Sequence, residues 1–216
     1  MSIYLSSFYP LICTKKGKEA VSKNPLYPFI DGSCRREPDF ENKFPPITGL
    51  CRPGFAKRLN PDDLIIYITN KKGIGSHYLV AILKVIDTTI NHKKTEQWYN
   101  NKKLKTPNNI MVNSTNPNSL DKTHQITGCE KCIKDSETIK QWDKEYNERA
   151  RLNPKVAICE VWKKHLYLNK PTELNDKNLN KIFTSGHGTM NPHTLTDIEW
   201  NKFQNWLNSA ITKSNY

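Results

Sequence analysis

Two short segments, 31–38 and 47–55, hold Arg35, Arg36 and Arg52, the acids Asp31 and Glu37, the thiols Cys34 and Cys51, and Thr48, with Arg58 just beyond. A planar guanidinium fork pairs with phosphate oxygens or with two acceptors on a base edge, so this set suits a nucleotide or nucleic-acid site. The same residues also permit catalysis, with Cys34 or Cys51 as nucleophile or Glu37 as general acid or base, held by the arginines. No base stands at a recognisable spacing from either cysteine, which favours binding over chemistry. The structural alternative is an ion-pair network in which Arg36 or Arg52 meets Asp31 or Glu37 and pins a long loop.

Three further groups could do chemistry. Trp98 and Tyr99 sit among Lys93, Lys94, Lys102, Lys103 and Lys105, a setting in which aromatic faces stack on bases while lysines meet phosphates. Trp98 would equally serve to pack a short helix onto the sheet. Cys129 and Cys132 form one CxxC pair, with His124 upstream and Cys159 or His165 further on as completing ligands. A tetrahedral zinc site normally shows two such pairs, so the sequence predicts no cofactor, zinc being the alternative. His187, in the loop Ser185, Gly186, His187, Gly188 with His193 nearby, is an acid–base candidate, but glycine clusters of this kind commonly mark plain turns.

The surrounding composition points the same way. Thirty-three Lys and Arg against 21 Asp and Glu leave a formal charge of +12, which favours a polyanionic partner, DNA or RNA foremost. The plain alternative spreads those lysines over a solvated surface with no target. Six cysteines over 216 residues lack the density of a stapled secreted scaffold and read as reduced thiols. No stretch is long and apolar enough to span a bilayer and no export leader opens the chain, so the expectation is a cytoplasmic protein without a membrane partner. At 216 residues, 36% hydrophobic and with 5 Trp, 9 Tyr and 7 Phe, the chain should fold as one domain over 1–216.

Periodicity supplies the elements that must position these groups. Residues 2–8 read as an opening strand, 14–30 as irregular and proline-punctuated. Residues 63–69 and 78–86 form two apolar runs buried on both faces. The polar loop 70–77 between them suits a long hairpin. A short helix or loop is expected within 91–109, and a polar and helical excursion within 113–152. Inside that excursion, Ile139, Trp142, Tyr146 and Ala150 form one stripe of a helix near 137–151. A strand over 156–168, a short helix near 174–183 and a closing helix over 196–212 follow. Thr196 and Glu199 give the closing helix a capping box, and Ile198, Phe203, Trp206, Leu207 and Ile211 its apolar face. The sum is an α+β chain with a small mixed or antiparallel β-barrel and surrounding helices.

Gly49, Leu50, Cys51, Arg52 and Pro53, a basic stretch ending at Arg58, Asn60 to Asp63 leading into a strand, and a second strand from Leu79 to Val85 together resemble the core of the PUA-like superfamily, with its EVE, ASCH and YTH domains. A nucleotide-modification-associated family, with a Cys- and Arg-containing stretch ahead of the same hairpin, is similar too. The likeness covers about residues 29–87. Family members place a Gly before the Asp that opens the hairpin, where this chain has Asp62. The resemblance implies a small barrel that holds one nucleobase, often a modified one, in a pocket. The expectations are therefore a nucleic-acid-binding module, or an enzyme acting on nucleotides or DNA bases. A third class is an interaction protein of a phage-defence or regulatory assembly.

Overall fold

A computed structural model describes residues 1–33, 35–112, 136–184 and 191–214, with side chains of 136–143 and 211–214 left aside. It is an α+β fold with a curled, half-barrel mixed sheet and six α-helices among the described residues. The strands are β1 (Ile3–Phe8), β2 (Pro46–Ile47), β3 (Leu64–Thr69), β4 (His77–Thr89), β5 (Val156–Leu166), β6 (Thr172–Leu174) and β7 (His193–Thr194). They run in the order β2-β5-β4-β3-β1-β7, with β6 on β4. The apolar hairpin β3–β4 is antiparallel, as its loop chemistry requires, and β1 joins β3 in parallel with Ser6 opposite Tyr67.

Alternation along the strands separates two cores, because successive side chains point to opposite faces. On the helix face, Leu5, Leu64, Ile66, Ile68 and Ile82 pack under α5 (Asp176–Ile182) and α6 (Asp197–Ser214), through Leu179, Phe183, Phe203 and Leu207. On the loop face, Tyr4, Phe8, Ile65, Tyr67, Leu83 and Val85 pack under Phe29, Ile30, Phe40, Ile47 and Phe55. Each fully buried aliphatic side chain stabilises the fold by about 1.5–3 kcal/mol. A smaller cluster of Leu50, Met111, Tyr146 and Ala150 seats α4 (Ser136–Leu152) over the turn at 48–52, so the stripe expected on that helix is buried at both of its described positions.

Two expectations are corrected. Residues 15–23, expected to be irregular, form α1 (Lys15–Lys23), capped by the Thr14 hydroxyl, which accepts from Gly17 N at 3.0 Å. Gly17 is required there: a Cβ would lie 1.8 Å from the Leu11 carbonyl oxygen, so the helix buries backbone where a side chain would normally pack. Ile198 is 67% exposed and off the apolar face of α6; capping geometry puts it in the first turn, away from the Phe203 and Leu207 stripe. The capping box itself is present, with Glu199 N donating to Thr196 Oγ1 at 3.2 Å and Thr196 N to Glu199 Oε2 at 2.8 Å. The Asp62 backbone sits at φ 73°, the left-handed region that glycine favours, and its carboxylate pairs with Lys84 at 2.7 Å.

Candidate nucleotide site on the loop face

Arg52 follows a turn held over the sheet by Leu50, which is itself locked beneath α4 by Arg149 Nη1 donating to its carbonyl at 3.1 Å. The turn aims the Arg52 guanidinium inward. Nη1 donates to the Glu37 carbonyl at 2.9 Å and Nη2 to the Ser7 carbonyl at 2.8 Å, joining the 31–38 loop to β1. The Glu37 carboxylate is wholly buried and accepts from Thr48 N at 3.0 Å and Cys51 N at 2.5 Å. Asp31, also buried, accepts from Ser33 N at 2.8 Å. Asp31, Glu37, Thr48, Cys51 and Arg52 thus form one constellation, and Arg36 lies at its edge, pairing with Glu41 at 2.6 Å.

Burial pushes the Asp31 and Glu37 carboxyls up, opposed in both by the nearby Arg52 charge. Asp39 behaves alike: burial lifts it to about 6 against the pull of Arg36. For Arg52, burial works against the cation, but Tyr67 and the two acids outweigh it and raise its pKa. The Cys51 thiol is pushed well above its usual value, by burial first and then by Glu37 and Asp31. It stays protonated at neutral pH, the opposite of an activated nucleophile.

Beneath this network lie two hydroxyls absent from the sequence-level site. Ser6 Oγ and Tyr67 OH are fully buried and have no hydrogen-bond partner among the described residues. Ser6 and Tyr67 are register partners across β1 and β3, and Tyr4, Ser6 and Phe8 share a face by the two-residue period. The Arg52 guanidinium carbon stands 5.8 Å from the Tyr67 ring centroid. Leaving a buried hydroxyl unbonded costs about 1–3 kcal/mol, and here two residues paired across β1 and β3 each carry one. Their signal in the sequence is slight: one tyrosine in the aliphatic run 64–68, and a serine pair in an opening strand. The network reaches partly exposed surface at Gly32, Ser33 and Cys51.

The other candidates lie elsewhere. Arg35 is buried against α4, 5.4 Å from the Tyr146 ring, with Nη1 donating to the Asn108 carbonyl at 3.4 Å. Arg58 ties α2 (Phe55–Arg58) to β7 through Pro192 O and Thr194 Oγ1, lying over Tyr4 at 5.1 Å. On α3 (His92–Asn101), Trp98 donates Nε1–H to Asp87 at 2.9 Å and meets Phe44 edge-on, while Tyr99 is fully buried and donates its hydroxyl to the Phe44 carbonyl. Both rings hold α3 onto β4 and the 42–46 loop, and Tyr99 has no face open to a base. Lys93, Lys94, Lys102, Lys103 and Lys105 around them are exposed. Cys34, Cys129, Cys132, His124 and His187 lie outside the described residues. Among those that are described, no three His, Cys, Asp or Glu side chains group as metal ligands, and no helix is long and apolar enough to cross a membrane.

Comparison of the chain with protein-family models, with curated proteins and with solved structures finds no match.

Proposed function

We propose that this chain is a cytoplasmic nucleic-acid-binding module of PUA-like type that takes one nucleobase or nucleotide, plain or modified, onto the loop face of its half-barrel. The observation that carries the reading is that two register partners on β1 and β3, Ser6 and Tyr67, each bury a hydroxyl with no hydrogen-bond partner among the described residues, with the Arg52 guanidinium over the Tyr67 ring. Each hydroxyl both donates and accepts, and so meets a base edge or a sugar hydroxyl. Arg52, fixed by two carbonyls, acts as a positioning group that holds the 31–38 loop against β1, its charge balanced by Asp31 and Glu37. Exposed lysines, within a net charge of +12, give salt-dependent affinity for the phosphate backbone, and the buried groups give selectivity. The left-handed backbone at Asp62 supports the PUA-like reading, since it is the conformation that the family's Gly adopts readily at that place. A thiol enzyme is the weaker reading, because Cys51 is held protonated by burial and two acids.

The test is binding of the full chain to short single- and double-stranded DNA and RNA, plain and base-modified, over a salt series, beside the Tyr67→Phe variant. Preference for one base type that the variant loses is the expected result. Salt-sensitive binding without base preference, equal in both proteins, overturns the base-binding reading and leaves a basic surface.

A further inference from the structure

On the opposite, helix face, β5 breaks its ladder in an unusual way. Between the pairs Leu83–Val161 and Ala81–Leu166, β4 advances two residues while β5 advances five. The surplus forms a bulge at Trp162, Lys163, Lys164 and His165. Lys163 and Lys164 both take left-handed backbone, at φ 46° and 64°, a conformation costly for lysine and cheap for glycine. Strain of this kind persists where the surrounding structure enforces it, and clusters at functional sites. A bulge re-aims side chains, and this one sets two exposed lysines beside a row of half-exposed aromatic rings.

The row is continuous. Trp162 lies 5.6 Å from His165 and 5.8 Å from Trp200 of α6, and His165 lies 6.1 Å from Tyr167, its Nδ1 within 2.7 Å of the Tyr167 hydroxyl. Lys163 Nζ stands 4.5 Å from the Trp162 ring centroid. Trp162, Tyr167 and Trp200 each pack one side on the helix-face core and leave part of the ring in solvent. Lys202 is exposed on α6 nearby in sequence. Half-exposed rings beside cations complement a chain of bases joined by phosphates: every base has a face to stack, and every phosphate a charge to neutralise.

We infer that the β5 bulge and Trp200 form a binding track for single-stranded nucleic acid on the helix face, with Trp162 and Trp200 stacking bases and Lys163 and Lys164 meeting phosphates. A duplex suits it less, because its stacked bases offer no free face to the rings. The track shares with the preceding proposal the class of partner and none of its residues.

The test uses the full chain, a labelled oligo-dT of about 12 nucleotides, within the usual span of such sites, and an abasic strand of equal length, read by fluorescence anisotropy. Lys163→Gly with Lys164→Gly relieves the left-handed strain while removing both charges, so it should fold at least as well as the parent. Its affinity is expected to fall about tenfold and its salt slope to shrink by about 1.4, two phosphate contacts on a single strand. The abasic strand should bind the parent at least about fivefold more weakly, the lower end of one stacked base; Trp162→Leu should shrink that difference, and Trp162→Leu with Trp200→Leu should remove it. Unchanged affinity and slope in the double-glycine variant overturn the track. So do equal binding of dT and abasic strands, or tighter binding of a duplex. No free nucleotide and no loop-face residue enters this test, so its failure is distinct from failure of the base-binding reading.

Discussion

On the helix face of the sheet, Leu5, Ile66, Ile68 and Ile82 meet Phe203 and Leu207 across an apolar interface; on the loop face, Tyr67 meets Arg52 beside the wholly buried Glu37, with Asp31 close by. One strand, β3, serves both. The helix face gains stability from burial alone, and its buried acid, Glu199, is spent on local structure. Burial would raise Glu199, but hydrogen bonds from Thr184 and Thr196 overcome that and hold it at about 2. The loop face keeps charges that cost desolvation, although apolar residues of similar volume often stabilise a core as well or better. It also keeps two hydroxyls that make no internal bond. A region that is expensive to fold and incompletely satisfied is better explained by a ligand than by stability, and that contrast underlies the functional proposal.

The sharpest way to break the contrast is to remove the cation. Arg52→Ala leaves Asp31 and Glu37 buried without their counter-charge and should cost about 3–5 kcal/mol in urea unfolding. Arg52→Met combined with Glu37→Met, which removes the cation and one of the two acids it faces, should recover part of that loss, and adding Asp31→Asn should recover most of it. A loss below about 1 kcal/mol, typical of exposed pairs, would mean the network is not desolvated as described.

The next effect is in pH. Burial pushes His92 down from 6.5 to about 4, where its Nδ1 accepts from Met111 N at 3.0 Å. Between those values the unfolded chain binds a proton that the folded one refuses. This share of stability is whole above pH 6.5 and is lost as pH falls toward 4, in all about 3 kcal/mol. Asp39, raised to about 6 from 3.8, acts in the opposite sense, its folded form taking up the proton first, so the parent curve alone hides both. The difference between parent and His92→Gln isolates the histidine: the parent's stability relative to the variant should fall by about 3 kcal/mol from pH 7 to pH 4. A pH-independent difference contradicts the burial of a neutral His92.

Smaller effects sharpen the comparison from each side. Ile66→Val on the helix face should cost about 1 kcal/mol in the same unfolding measurement and leave nucleotide affinity unchanged. Tyr67→Phe on the loop face should be neutral or stabilising by up to about 1 kcal/mol, because it deletes an unbonded buried hydroxyl. A clear destabilisation by Tyr67→Phe would show that the hydroxyl has a structural partner and would erase the difference between the faces.

How much of this could be read from the residues follows the same division. The runs 63–69 and 78–86, the capping box at Thr196 and the stripe through Tyr146 and Ala150 announce β3, β4, α6 and α4, because each is a local pattern of one period. α1 is hard to read because Lys15 to Lys23 holds only Ala20 and Val21 as apolar side chains; its close approach depends on Gly17, a missing side chain. The parallel pairing of β1 with β3 is non-local, and with it went Ser6 and Tyr67, which adjoin only through that register. Asp31, Glu37, Cys51 and Arg52 were legible as a cluster since they are close in sequence, whereas their burial depends on α4 and Arg149 arriving from about a hundred residues further along. Trp98 and Tyr99 looked available for stacking because composition does not tell which face of an aromatic is covered.

Ser6 and Tyr67 are the groups through which the loop face is proposed to hold a nucleotide. Isothermal titration of a panel of free nucleosides and nucleoside monophosphates, plain and base-modified, into the parent and Tyr67→Phe proteins tests this role most directly. The expected result is measurable binding of at least one base type, weakened about fivefold or more in the variant, the loss of one hydrogen bond of about 1 kcal/mol or more, while the variant's stability is equal or higher. Binding of no member of the panel, or equal binding by both proteins, contradicts it.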